Sequence, residues 1–254
     1  MKVLLLGTGN VAWHLGRRLC ERQFPLYGCY GRNPEKVRRL AESCGVAQVY
    51  TDLREIPSDA DAYVFALADR AYAELLPRFP WRDKVMLHTS GALPLTLFQG
   101  LTAHAAVLYP FQSCTYGVAL KSGRLPLCLE ASDDRAREVV QALASVLGDE
   151  SYWISSAQRK TLHLAGVYAN NFSNALFRVA FELLEAQRMD TRLLHPLLME
   201  TVMKAVEMPP KDAQTGPAVR GDHQTMQAHL SLLQEDNPLW TEVYRLLSRL
   251  IAEP

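Results

Sequence analysis

The stretch VLLLGTGNVAWHLG, residues 3–16, sets Gly7, Gly9 and Ala12 as G-x-G-x-x-A between a short apolar run and a helical pattern. A buried strand that turns at once into a helix leaves few architectures open. Gly7 permits the tight turn, Gly9 lets the backbone approach a ligand, and Ala12, with Gly16 a turn later, allows close helix packing. The free N–H groups and dipole of that helix favour an anion. The spacing predicts a nucleotide-binding βαβ unit in which Gly7, Thr8, Gly9, Asn10 and Val11 surround a pyrophosphate. A purely structural strand-to-helix turn is the other account of the same glycines.

The rest of the first half keeps to the βαβ pattern. Strand-like runs fall at 2–7, 25–31, 48–50, 62–67, 84–89 and 105–110, with helical patterns at 10–22 and 34–44. Pro34 suits a first helical turn and Gly45 a helix stop. A further strand (RLPLCLE), a helix at 133–147 and a strand (SYWIS) carry the pattern to about residue 154. From Ala157 the 3.6-residue period dominates, with helices expected at 157–187, 191–207, 222–233 and 236–252 and one long loop, EMPPKDAQTGPAVRGD. The expected fold is therefore α/β: an N-terminal Rossmann-like parallel-sheet domain (1–154) followed by an all-α C-terminal domain (155–254).

Twenty-seven Lys and Arg balance 27 Asp and Glu among 254 residues, so no net basic field argues for nucleic acid or an anionic membrane. A small-molecule partner is the expectation. Cys20, Cys29, Cys44, Cys114 and Cys128 form no C-x-x-C pair and have no His at ligand spacing, which suits reduced thiols in a cytoplasm and no metal site. The apolar run before Gly7 is too short for a signal peptide, and no later stretch approaches a membrane span.

The second strand ends YGRNPEK, with Arg32 and Asn33 and no acid until Glu35. An acid there would bond a ribose 2′-OH, whereas Arg32 pairs with a 2′-phosphate and stacks on adenine, so NADP(H) is the expected cofactor. At the end of the fourth strand, FALADR brings Ala66, Leu67 and Ala68 past the pyrophosphate and nicotinamide ribose. The fifth ends LHTSGALP, where Thr89, Ser90 and Gly91 offer either ligand contacts or a simple Ser-Gly turn.

LHLAGVYANNFSNALF, residues 162–177, is apolar yet carries His163, Asn170, Asn171 and Asn174. At about 100° per residue these fall with Lys160 and Arg178 within an arc of roughly 100°, leaving Leu162, Leu164, Ala165, Phe172, Leu176 and Phe177 for burial. Two accounts stand. The polar groups satisfy one another inside a helical bundle, or they face a cleft and complete a site, with His163 as proton donor and Asn171 fixing substrate. In TGPAVRGD, Asp222 suits an N-cap, and Arg220 is free to hold a carboxylate or phosphate.

The order of G-x-G-x-x-A, HTSGALPLTLF, YPFQS, LHLAGVYANNFSNALF and TGPAVRGDHQTMQAHLSLL resembles bacterial proteins that join a Rossmann-like domain to a helical domain of unknown function. These are similar to the pyrroline-5-carboxylate reductase and 6-phosphogluconate dehydrogenase-like group of NADP oxidoreductases. The resemblance covers nearly the whole chain. It implies an NADP-binding fold, a helical domain that forms a homodimer, and reductase activity. His163 and Asn171 match the family's helix pattern. Asn170 stands at a more variable position, and Tyr109 stands where relatives usually carry His. Leu164, four residues after Lys160, departs from the Lys-x-x-x-Asn pair of hydroxyacid dehydrogenases.

Residues and resemblance together predict an NADP(H)-dependent oxidoreductase acting on a small carbonyl or imine in the interdomain cleft. His163 and Asn171 would be catalytic, with Lys160, Asn174, Arg220 and Ser90 binding substrate. The alternative is a non-catalytic sensor module for NADP(H) or another ligand.

Overall fold

The strand-like runs of the first half assemble into one sheet in the computed structural model, which describes residues 1–234 and 237–253. In chain order the elements are β1 (Val3–Leu6), α1 (Asn10–Glu21), β2 (Leu26–Tyr30), α2 (Pro34–Ser43), β3 (Val49–Tyr50), β4 (Ala62–Phe65), α3 (Asp69–Leu75), β5 (Val85–His88) and β6 (Ala105–Pro110). β7 (Pro126–Ala131), α4 (Asp134–Leu147), β8 (Glu150–Trp153) and α5 (Ser156–Gly166) follow. A π turn (Val167–Phe172) leads to α6 (Ser173–Ala186), α7 (His195–Glu207), α8 (Pro210–Ala213), α9 (His223–Gln234) and α10 (Pro238–Ala252). Asp236, the first residue of the expected 236–252 helix, and Pro254, the last of the expected second domain, lie outside the described residues.

The sheet runs β3-β2-β1-β4-β5-β6-β7-β8. Its first six strands have the doubly wound order, with the switch between β1 and β4. β1, β4 and β5 are buried along their whole length, because helices cover both faces of a parallel sheet. The sheet is mostly parallel rather than wholly so: β7 pairs antiparallel with β6, and β8 parallel with β7. Residues 111–125 contain no helix to carry the chain across the sheet, so it returns alongside β6 in the opposite sense.

Local chemistry sets the helix starts. Asn33 caps α2 through Lys36 N–H, Asp133 caps α4 through Ala136 N–H, and Ser155 and Gln158 form a reciprocal capping box at α5. A Cβ on Gly16 would lie 2.7 Å from Cys44 Sγ, so the absence of a side chain sets the approach of α1 to the end of α2. α3 went unread in the sequence because Pro77 and Pro80 cut its pattern short, and α8 lies inside the expected long loop. Among the described residues the five cysteines are free, and no helix is long and apolar enough to cross a membrane.

By packing, the chain divides into two compact units, Met1–Asn171 and Phe172–Pro254. In the second, α6, α7 and α8 have no buried residue, and Leu197 and Val206 are 62% and 82% exposed. The apolar positions around the polar stripe differ from expectation in the same way. Leu164, Ala165, Phe172 and Leu176 are exposed within one chain, and Leu162 and Phe177 are half-buried. A 3.6-residue period reports an apolar face but does not say what covers it.

Candidate active site

Gly7 stands at the switch point with φ +125°, and a Cβ there would lie 2.0 Å from the Ala66 carbonyl oxygen. The turn after β1 therefore passes against the end of β4 only because residue 7 has no side chain. Gly9 is the extended N-cap of α1, no side chain caps that terminus, and a Cβ on Gly9 would meet nothing within 4 Å. Open space in front of uncapped N–H groups is what an anionic group needs.

The expected cofactor residues gather here. Gly7, Thr8, Gly9, Arg32, Asn33, Ala66, Leu67 and Ala68 line one cavity of about 330 Å³, and Asn10 joins Thr8 and Gly9 in an adjoining one of about 280 Å³. Val11 instead packs half-buried against the core. Asn33 spends its side-chain oxygen on capping α2, which leaves the Arg32 guanidinium, bonded to Glu74 at 2.6 Å, at the cavity wall. Lys36, Arg70, Glu74 and Arg78 also line the larger cavity, and Arg39 the smaller one. Sequence reading missed these, although Lys36 lies on the same short stretch as Arg32. The glycine turn, the uncapped helix and the cations together fit a phosphate-bearing dinucleotide.

A second cavity, about 360 Å³, opens at the end of β6. Tyr109, Phe111 and Cys114 line it from β6 and the following loop, and His163, Asn170 and Asn171 from α5 and the π turn. Tyr109 and His163 are hydrogen-bonded, with Oη 3.0 Å from Nδ1. Gly91 admits this contact, since a Cβ there would lie 2.6 Å from His163 Nδ1 and 2.8 Å from Tyr109 Cζ. Gly166 likewise lets α5 approach the Phe111 ring, 2.7 Å from its would-be Cβ. Burial raises the Tyr109 phenol to about 12, although the nearby charge of Arg159 acts in the opposite direction.

The π turn breaks the uniform 100° progression on which the polar stripe was drawn, because each π-type ring takes in one more residue than an α ring. His163, Asn170 and Asn171 share the cavity; the other members of the stripe do not line it. Lys160 is exposed on α5, while Asn174 and Arg178 belong to the second unit, where Arg178 lies 3.7 Å from Glu182. Arg220 is also in the second unit and exposed, two residues before Asp222, which caps α9 through Thr225. The Ser90 hydroxyl is buried and accepts N–H bonds from Ala92 and Leu93 at 3.1 Å, so it holds the turn that carries Gly91.

Two buried groups beside this cavity gave no signal in the sequence. Arg159 is fully buried, donating to Glu130, to the Leu93 carbonyl at 2.6 Å and to Ser156 Oγ at 3.2 Å. His88 is also fully buried; its Nδ1 accepts from Ser90 N–H at 3.2 Å, and burial, reinforced by the Arg159 charge, lowers it to about 3. Among the described residues no group of three or more His, Cys, Asp or Glu side chains is placed to hold a metal ion.

Residues 125–251 match the family described as a domain of unknown function, DUF2520. A presumptive NADP oxidoreductase from Bacteroides fragilis is 36% identical, covering 100% of this chain and 98% of its own, with a TM-score of 0.92. A reductive aminase from Aspergillus terreus, in complex with NADPH and ethyl-5-oxohexanoate, shares the fold at 14% identity and TM-score 0.75, over 98% and 92% of the two chains. So does a pyrroline-5-carboxylate reductase from Coxiella burnetii, at 15% identity and TM-score 0.58, over 100% and 99%. No curated protein matches the sequence. From the matched segment and the full-length similarity to the Bacteroides protein, the chain belongs to the DUF2520 family.

Proposed function

We propose that the protein is an NADP(H)-dependent oxidoreductase that reduces a small carbonyl or imine. The observation that carries this reading is the convergence of Gly7, Gly9, the uncapped α1 N-terminus and Arg32 on one cavity at the carboxyl edge of the sheet. Arg32 and Lys36 would bind the 2′-phosphate, and the α1 N–H groups the pyrophosphate. When bound, the cofactor supplies a hydride. His163 would deliver a proton to the substrate oxygen or nitrogen, and Asn171 would orient that group from the π turn. The likeness to the Bacteroides NADP oxidoreductase supports the reading. Lys160, Asn174 and Arg220 remain proposed substrate-binding residues, and Ser90 would serve substrate binding through the turn it holds.

The reading includes a homodimer formed through the helical unit, whose exposed Leu193, Leu197, Met199 and Val206 call for an apolar partner surface.

The test is NADPH oxidation across a library of carbonyls and carbonyl–amine mixtures. His163→Ala should abolish turnover and leave NADPH affinity within a few-fold. Tight NADPH binding with no oxidation of any mixture would instead favour the sensor module.

A further inference from the structure

The buried guanidinium of Arg159 ties together the elements that carry the second cavity. It sits one helical turn before His163 on α5, bonds Glu130 on β7, and bonds the Leu93 carbonyl in the turn that carries Gly91. Ser156 completes the clamp: its Oγ and N–H donate to Glu130 at 2.8–3.0 Å, and Leu95 N–H donates to its Oγ at 3.0 Å. β7 is the antiparallel partner of β6, with Cys128 opposite Tyr109. One side chain thus fixes the helix bearing His163, the strand pair bearing Tyr109, and the glycine turn that lets the two meet.

Stability is a poor reason for this arrangement. A buried ion pair is often no better than apolar residues of the same volume, and here Arg159 Nε has no hydrogen-bond partner among the described residues. A fixed positive charge near enough to act on a hydrogen-bonded phenol has a chemical use instead. If the Tyr109 O–H donates to Nδ1, the ring carries its own hydrogen on Nε2, which has no partner among the described residues while His163 lines the cavity. A neutral imidazole cannot give up that hydrogen alone, because the imidazolate left behind is too basic.

We propose that Tyr109 is the proton source and His163 its carrier, with Arg159 as the positioning residue that holds the phenolate left behind. This rests on the oxidoreductase reading and assigns its proton path. The Nε2–H bond breaks as the proton passes to the substrate oxygen or nitrogen. In the same step the phenolic proton moves to Nδ1. The imidazole ends neutral, with its hydrogen on Nδ1, and Tyr109 ends as phenolate, to be reprotonated by water through the ring. The charged or titratable groups that act on this phenol are His163 and Arg159 from α5, Cys128 from β7 and Cys114 from the loop after β6; Arg159 is the one that favours the phenolate.

The first test needs no substrate. Ring ¹⁵N shifts of His163 in the unaltered protein at neutral pH should report the Nε2–H tautomer, and an Nδ1–H ring would overturn the relay. The tyrosinate ultraviolet band assigned to Tyr109, from the difference between the protein and Tyr109→Phe, should be at least about fivefold weaker at pH 11 in Arg159→Met. It should recover in Arg159→Lys; a band at that pH that ignores charge at residue 159 would limit Arg159 to a structural role and overturn its part. With a turned-over substrate, Tyr109→Phe should lower kcat at least about tenfold and leave NADPH affinity within twofold. Turnover that survives Tyr109→Phe removes the relay alone, whereas absence of turnover in the unaltered protein removes the oxidoreductase reading and leaves the tautomer and titration results standing.

Discussion

Arg32 reaches from the end of β2 to bond Glu74 on α3 at 2.6 Å, across a cavity that both residues line. Both are more than half exposed, so the pair is worth only about 0.2–1 kcal/mol. A 2′-phosphate bound to Arg32 would displace Glu74 and meet its negative charge. Glu74→Gln should therefore tighten NADPH about two- to fivefold and leave NADH unchanged. Arg32→Ala should weaken NADPH far more than NADH. Fluorescence titration of both cofactors decides; equal weakening of the two by Arg32→Ala would contradict the 2′-phosphate assignment.

The two glycines of the first turn should separate folding from binding. Gly7→Ala forces a Cβ against the Ala66 carbonyl at φ +125°, which should cost roughly 2–5 kcal/mol of stability. Gly9→Ala meets nothing and needs no unusual backbone angle, so it should leave stability unchanged or raise it by up to about 1 kcal/mol. It should also weaken NADPH about tenfold or more, by filling the space in front of the helix. Urea unfolding and NADPH titration of both variants are the measurements.

His88 predicts a pH dependence. Its folded value near 3 lies below the ordinary value of about 6.5, so below pH 6.5 the unfolded chain takes up a proton that the folded chain refuses. The contribution is intact above pH 6.5 and is lost as pH falls toward 3, at up to about 1.4 kcal/mol per pH unit. Unfolding free energies at pH 7, 6 and 5 should fall more steeply for the natural protein than for His88→Gln. Parallel slopes would remove His88 as the cause.

The helical unit predicts association. The protein should sediment as a dimer at micromolar concentration, and Leu197→Glu, at a 62% exposed position, should shift it toward monomer. A monomeric natural protein would set this aside.

Much of the sheet and the turn after β1 were legible because their signals are local. Four apolar residues followed by Gly7, Gly9 and Ala12 specify a strand, a turn and a close-packed helix within a dozen positions. Arg32 was legible as a cation at a strand end. Glu74 was not, since its place beside Arg32 depends on how α3 packs across the sheet edge. The Arg159–Glu130 pair joins residues 29 positions apart on a helix and a strand, and neither periodicity carries such a pairing. The π turn was hidden because its apolar pattern scarcely differs from that of an α-helix over so few residues.

That turn has a consequence for how this segment tolerates change in length. Val167–Phe172 accommodates a residue beyond what α-helical winding would place there. Losing one residue within 167–170 would let the segment wind as an ordinary helix and still leave Asn171 near the face that carries His163, because the π turn spreads its extra residue over about the same rotation. The segment can therefore lose a residue that, in a plain α-helix, would swing Asn171 by roughly 100° from His163.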